Sequence, residues 1–269
     1  MKLFTDQMGR TAALPAWPPR RIISLVPSQT ELLADLGLED EVVGITKFCV
    51  HPAAWFQQKK RVGGTKTVSL EKVAALAPDL VIGNKEENEQ TQIEALAAGY
   101  PVWMSDIHNL KDALDMIGRV GELTGKPEAA KDLARKIGRE FDALQIPVAG
   151  NTPLKVAYLI WRKPYMVAGS DTFIDEMLRA AGFHNVFGQK DRYPAISLEE
   201  LAARQPEAIF LSSEPFPFAE KHFGPVREVC PAARIMIVDG EMFSWYGSRL
   251  QYAPAYFRQL REILGLAAT

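Results

Sequence analysis

The 269-residue chain carries 31 Lys and Arg against 33 Asp and Glu, with 47% hydrophobic and 24% charged residues. Those proportions exclude a disordered, collagen-like or coiled-coil protein, and at ~150 residues per domain the length suggests about two domains. The near-neutral balance gives no electrostatic case for a nucleic-acid partner, and no apolar run approaches the ~18 residues of a membrane span.

In chain order, Thr5, Asp6, Gln7 and Arg10 interrupt any apolar stretch at the start, so the sequence as written carries no export signal. Arg21 to Val26 reads as a short strand stopped by Pro27, with Ser28 as the N-cap of a helix over Thr30 to Leu36 that Gly37 closes. Val42 to Ile45 is the next strand. Ser69 caps a helix whose Leu70, Val73, Ala74 and Ala77 share one face, and Pro78 ends it. Leu80 to Ile82 is a strand, Glu89 to Ala98 a helix, and Pro101 to Met104 a strand, an alternation that predicts a parallel sheet covered on both faces. From Asn109 to about Gln145 the pattern is helical, interrupted only by Gly125, Lys126 and Pro127, which predicts a spine. Alternation then resumes with strand Val156 to Ile160, helices Thr172 to Ala181 and Leu198 to Ala203, strands Ala208 to Leu211 and Arg234 to Val238, and a helix near Pro254 to Leu264.

The expected division is an N-terminal α/β lobe over 1–107, a helical spine over 108–146 and a C-terminal α/β lobe over 147–269. The two lobes repeat each other: Ser69 to Ile82 aligns with Ser197 to Phe210 with six of fourteen positions identical, and Glu31 to Gly37 resembles Glu176 to Gly182. Two related lobes leave a cleft lined by loops at the carboxyl ends of strands, where open α/β sheets bind ligands.

Phe4 to Arg10, Leu14-Pro15, Arg21 to Ser28 and Leu76 to Ile82 together resemble the helical-backbone (class III) substrate-binding proteins of ABC importers, most closely their cobalamin branch. The resemblance runs from about Phe4 to Leu264. It implies an α/β fold of two Rossmann-like lobes with mainly parallel sheets joined by a long backbone helix. It implies a monomer that binds cobalamin, a ferric siderophore, haem or a divalent metal as ligand and requires no cofactor. It also implies docking on an ABC permease through one acidic residue per lobe, here Glu71 and Glu199. The same two residues suit the first turn of a helix on dipole grounds alone, and Ser197 with Glu200 reads as a capping box. Family likeness places such a protein in the periplasm; the start as written fits either a cytosolic protein or a mature sequence restarted at a methionine, and only a genuine absence of a signal would point to the cytoplasm.

Several loops carry ligand chemistry. If the strand after Gly44 runs on, Lys47, Cys49 and His51 project to one face and Phe48 and Val50 to the other. A thiol and an imidazole so spaced match the ligand types of zinc or corrinoid cobalt, the alternative being a half-buried Cys and a loop His. Lys66 beside Gly63-Gly64, and Lys85, Glu86 and Glu87 after the third strand, suit an anion, a cation or a solvated charged loop. In the second lobe, Trp161, Arg162 and Tyr165 follow one strand and Trp245, Tyr246 and Arg249 another. These supply rigid aromatic walls and planar cationic forks, and the resemblance implies that loops in these places line the ligand cleft. His108, His184 and His222 stand singly and read as surface or capping residues. Two cysteines, Cys49 and Cys230, are too few for a disulfide scaffold. No phosphate loop, nucleophile elbow or zinc-protease motif occurs, so no catalytic residue is expected. A ligand carrier is the leading expectation; a cytosolic metal- or cofactor-handling protein or enzyme on the same scaffold is the alternative, with a protein-interaction module third.

Overall fold

The computed structural model describes residues 1–144 and 153–266. It opens with a hairpin that the strand and helix patterns did not reveal, β1 (Lys2–Thr5) against β2 (Thr11–Leu14). Asp6 builds its turn by accepting the backbone N–H groups of Met8 and Arg10, while Gly9 takes the left-handed conformation at φ +77°.

The first sheet follows, with β3 (Ile22–Ser24), α1 (Pro27–Asp35), β4 (Val42–Ile45), α2 (Ala53–Gln58), β5 (Lys60–Arg61), α3 (Leu70–Leu76), β6 (Leu80–Asn84), α4 (Gln90–Ala97) and β7 (Val102–Ser105). Its five strands are all parallel in the order β5-β4-β3-β6-β7. Ile22, Ile23, Val81 and Ile82 are fully buried, as strands covered on both faces require. Helix α1 begins two residues earlier than its cap pattern suggested. Pro27 is its first residue, where a missing N–H costs nothing, and Ser28 is buried inside the first turn. Gly37 closes it at φ +69° as expected.

The spine is two helices, α5 (Leu110–Thr124) and α6 (Pro127–Asp142), parted by Gly125 at φ +77° with Pro127 opening the second. They meet at Gly121, where an added Cβ would overlap the Ala130 side chain.

In the second sheet lie β8 (Leu154–Trp161), β9 (Tyr165–Val167), α7 (Phe173–Ala180), β10 (Phe183–Asn185), β11 (Ala195–Ile196), α8 (Leu198–Ala203), β12 (Ala208–Ser212), α9 (Phe223–Val229) and β13 (Arg234–Val238). The chain ends with α10 (Glu241–Ser244), a 3-10 turn over Ser248–Gln251 and α11 (Ala253–Ile263). Strands β10, β8, β12 and β13 are parallel; β9 and β11 extend the sheet antiparallel. Tyr158, Phe210, Phe243 and Phe257 form an aromatic core here, with Tyr158 to Phe243 at 5.1 Å and Phe243 to Phe257 at 4.9 Å.

By contacts the chain forms two compact units, Met1–Ile107 with Lys111–Gly138 and Trp245–Gln251, and His108–Leu110 with Arg139–Ser244 and Tyr252–Thr269. This differs from the three-part reading. Spine residues 111–138 group with the first unit and 108–110 with the second, a seven-residue return from the C-terminal half joins the first unit, and the boundary at 146 lies outside the described residues.

The internal repeat has a structural counterpart. Ser69 Oγ accepts the Lys72 N–H and Ser197 Oγ the Glu200 N–H, so both repeat helices are capped alike. Ala77 and Gln205, each preceding a proline, both sit at left-handed φ, +41° and +48°. Asp79 then accepts the N–H of Arg21, and Glu207 that of Lys155, tying each repeat strand to the strand beside it. The capping box is half formed: the Glu200 carboxylate turns to Lys190 at 2.5 Å.

Two glycines of α5 give opposite expectations. Nothing lies within 4 Å of a Cβ added at Gly118. Gly118→Ala therefore raises stability by about 0.5–1 kcal/mol through helix propensity. Gly121→Ala lowers it by about 1–3 kcal/mol through overpacking against Ala130. Urea unfolding midpoints of the two variants check both signs.

Candidate functional site

In the first sheet the chain runs from β3 to β4 and β5 on one side, then returns to β6 and β7 on the other. Loops leaving β3 and β6 therefore diverge and open a crevice at the strand ends, the usual ligand position in such sheets. Here the returning segment Trp245–Gln251 sits on the groups that line it. A Cβ at Gly247 would collide with the Ser28 carbonyl oxygen, so only glycine permits this approach to α1. The Tyr246 hydroxyl donates to Glu87 Oε1 at 2.9 Å. The Arg249 guanidinium grips both Glu31 oxygens, at 2.8 and 2.5 Å. Trp245 lies under Arg249 at 4.8 Å and meets the edge of His51 at 5.5 Å.

Trp245, Tyr246 and Arg249 were expected to wall the ligand. The structure turns them inward: Trp245 and Tyr246 are each 6% exposed. Burial, then the Glu87 carboxylate, pushes the Tyr246 hydroxyl well up, so it stays a donor at any physiological pH.

The strand continuation that would have set Cys49 and His51 on one face does not occur. Strand β4 ends at Ile45 and the chain turns, which breaks the expected alternation. Cys49 is 0% exposed, its sulfur within 3.1 Å of the Thr30 and Thr46 hydroxyls, and burial pushes its thiol up despite those bonds. His51 instead packs on Trp245. Lys47, Phe48 and Val50 are exposed, Phe48 at 51% and Val50 at 41%, with the Lys47 ammonium 5.0 Å over the Phe48 ring. Among the described residues no group of three or more His, Cys, Asp or Glu is placed to hold a metal. Cys230 is the other free thiol. It lines an open hollow of about 690 Å³ with Leu154, Glu207 and Arg234, at the amino ends of β8, β12 and β13.

Lys66 and Lys85 were expected to meet an anionic ligand. Lys66 Nζ donates to the Glu86 carbonyl at 2.7 Å, and Asn88 donates to the Thr65 carbonyl, so the two loops brace each other. Lys85 pairs with Asp106 at 2.6 Å. Glu87 is held by Tyr246, and Glu86 stands half-buried, its own N–H donated to the Asn84 side chain. These charges fix the loops.

In the second unit the aromatic expectation fares differently. Trp161 ends β8 with 40% exposure, Arg162 follows half-buried, and Tyr165 packs on the hydrophobic core. Trp161 meets Phe216 edge-on at 5.7 Å, Phe216 meets Phe218 at 4.8 Å, and the His222 ring lies 5.3 Å from Phe216. Phe216 and Phe218 were not singled out from the sequence and His222 was read only as a surface or capping residue, although the run Glu214-Pro215-Phe216-Pro217-Phe218 directly follows a strand. Aromatic residues there, at a sheet's carboxyl edge, were the available signal.

Glu71 and Glu199 occupy the first turns of α3 and α8, and both are exposed. The Ser197 hydroxyl and its own N–H hold Glu199 below the ordinary carboxylate value. No described helix is long and apolar enough to cross a membrane.

The periplasmic binding protein family model matches residues 22–224. A vitamin B12-binding protein of Vibrio cholerae is 27% identical over 198 residues, 73% of this chain and 71% of its own length. One from Vibrio vulnificus is 28% identical over 204 residues, 75% and 74% of the two chains. Among solved structures, the periplasmic vitamin B12 binding protein of Vibrio cholerae superposes with TM-score 0.78 at 23% identity, covering 92% of this chain and 98% of that one. A periplasmic haem-binding protein in complex with two haems gives TM-score 0.80 at 26% identity, covering 91% and 98%.

A buried, raised thiol reacts slowly. In the native protein Cys49 is expected to resist maleimide until the chain unfolds, at a rate zinc does not change; immediate labelling that zinc blocks would contradict this placement.

Proposed function

We propose, on the premise that this chain belongs to the periplasmic binding protein family, that it binds a metal chelate of the corrinoid, haem or ferric-siderophore kind and hands it unchanged to an ABC permease. The observation carrying this reading is the exposed Trp161 at the carboxyl end of β8, backed by Phe216 and flanked by Arg162. An exposed aromatic surface recovers its desolvation energy against a large planar or apolar ligand face, and the guanidinium orients a polar rim. In the first unit, exposed Phe48 and Val50 offer the same chemistry. Relatives named for vitamin B12 and for haem support the chelate class. A bare metal ion fits less well, because Cys49 is enclosed by Thr30 and Thr46.

The exposed carboxylates of Glu71 and Glu199, on equivalent turns of the repeat, suit docking to cationic groups of the permease, one from each unit.

Titration with cyanocobalamin, hemin, a ferric hydroxamate and zinc, followed by tryptophan fluorescence, tests the ligand class. At least one chelate is expected to bind and zinc is not, and Trp161→Ala should weaken chelate binding about tenfold or more. Silence toward every chelate would overturn the reading. The double variant Glu71→Arg with Glu199→Arg should retain ligand affinity while abolishing permease-dependent uptake; unchanged uptake would remove the docking assignment.

A further inference from the structure

The loop after β12 is poor in backbone donors, since Pro215 and Pro217 have none. Ser213 N–H donates to the Val238 carbonyl at 3.0 Å and Phe218 N–H to the Phe216 carbonyl at 2.8 Å, but the tethers of Phe216 and Phe218 to the flanking strands are long, Phe216 N–H to the Ile160 carbonyl and Phe218 N–H to the Ser212 carbonyl, each at 3.4 Å. What stands against Phe216 and Phe218 is the buried His222 ring, 5.3 and 5.8 Å from theirs. That ring is itself fixed, because His222 Nδ1 accepts the Ala219 N–H at 2.9 Å. An accepting Nδ1 carries no proton, so the neutral ring bears its hydrogen on Nε2.

We infer that His222 is the positioning residue of the aromatic surface: its neutral ring holds Phe216 and Phe218 in place against Trp161, and protonation at Nδ1 loosens that loop and weakens ligand binding. This rests on the proposed chelate-binding role of Trp161 and adds its regulation.

A second proton would turn Nδ1 from acceptor to donor, facing an N–H that then loses its partner. The charged groups around the ring do not welcome the new charge. Arg162, on the β8–β9 connection, and Lys221, in the ring's own 3-10 turn, are both cationic. The acidic residue of that turn is Glu220, two positions before His222, and the Glu214 carboxylate of the loop accepts the Ser244 hydroxyl at 2.6 Å. Burial first, then Arg162 and Lys221, hold His222 below its ordinary value. The sign follows: with the folded value depressed, the group's contribution to stability is complete above about pH 6.5 and is lost as pH falls through the folded value.

The test separates this inference from the chelate reading by beginning without ligand. Trp161 emission, taken as the difference between wild type and Trp161→Phe, is followed from about pH 8 to about pH 4, with the His222 tautomer read by nitrogen-15 NMR. Wild type is expected to show the Nε2–H tautomer and one emission transition below about pH 6.5. In His222→Asn, whose side-chain oxygen can still accept the Ala219 N–H but does not titrate, that transition should vanish. Hemin or cyanocobalamin affinity should fall about tenfold across the same pH interval in wild type and stay level in His222→Asn. A flat wild-type profile, an Nδ1–H tautomer, or a transition that persists in His222→Asn would overturn the positioning role. An intact ligand-free transition with no response to any chelate would support that role and overturn the chelate reading instead.

Discussion

The close approach of Gly247 to the Ser28 carbonyl governs what the rest of the first unit can offer a ligand. Only a residue without a Cβ lets the returning segment lie against the first turn of α1. Once there, Arg249 reaches Glu31 with two hydrogen bonds and Tyr246 reaches Glu87 with one. The groups that a sheet of this topology usually turns toward a ligand are thus engaged by the chain itself. Cys49 is drawn inward by Thr30 of that same helix. Lys66 and Lys85 are engaged by a neighbouring carbonyl and by Asp106. Beside the exposed lysines Lys47, Lys66 and Lys85, the first unit exposes two apolar side chains after β4, Phe48 and Val50.

The second unit presents the same character with a different device. Trp161 stands out from the end of β8, and the aromatic loop behind it leans on His222. Polar groups in both units serve chiefly to hold loops in shape. In the proposed reading, recognition falls to desolvated ring faces, with Arg162 beside Trp161 available to a ligand's polar rim. Such a surface suits a chelate that arrives with its metal already coordinated.

Local signals in the sequence were reliable wherever a structural feature is built from neighbours. The caps at Ser69 and Ser197, the closing glycine Gly37, and the buried strands around Ile23, Val81 and Ile209 follow from spacing and residue type. The repeat carries through to matched left-handed residues before Pro78 and Pro206, which the sequence reading did not anticipate. Features that depend on distant partners were not legible. Arg249 finds Glu31 218 positions away, and Tyr246 finds Glu87 159 away, so nothing local marks these side chains as structural. The reading of Cys49 rested on a strand that does not run on: β4 stops at Ile45, and after the turn Lys47 is exposed while Cys49 is enclosed by Thr30 and Thr46. His222 looked like a solitary capping residue, and it does cap Ala219, but its aromatic neighbours appear only once the loop is folded.

Apolar recognition and ion pairing differ in their thermodynamic signature. Calorimetric titration of the tighter-binding of hemin and cyanocobalamin, across a range of temperatures and salt concentrations, distinguishes them most directly. Binding by ring faces predicts a clearly negative heat-capacity change and an affinity that shifts by less than about threefold between ~50 and ~500 mM salt. A heat-capacity change near zero with a steep loss of affinity in salt would show that charged groups carry recognition, and would contradict the assignment of Lys66, Lys85 and Arg249 to holding the fold.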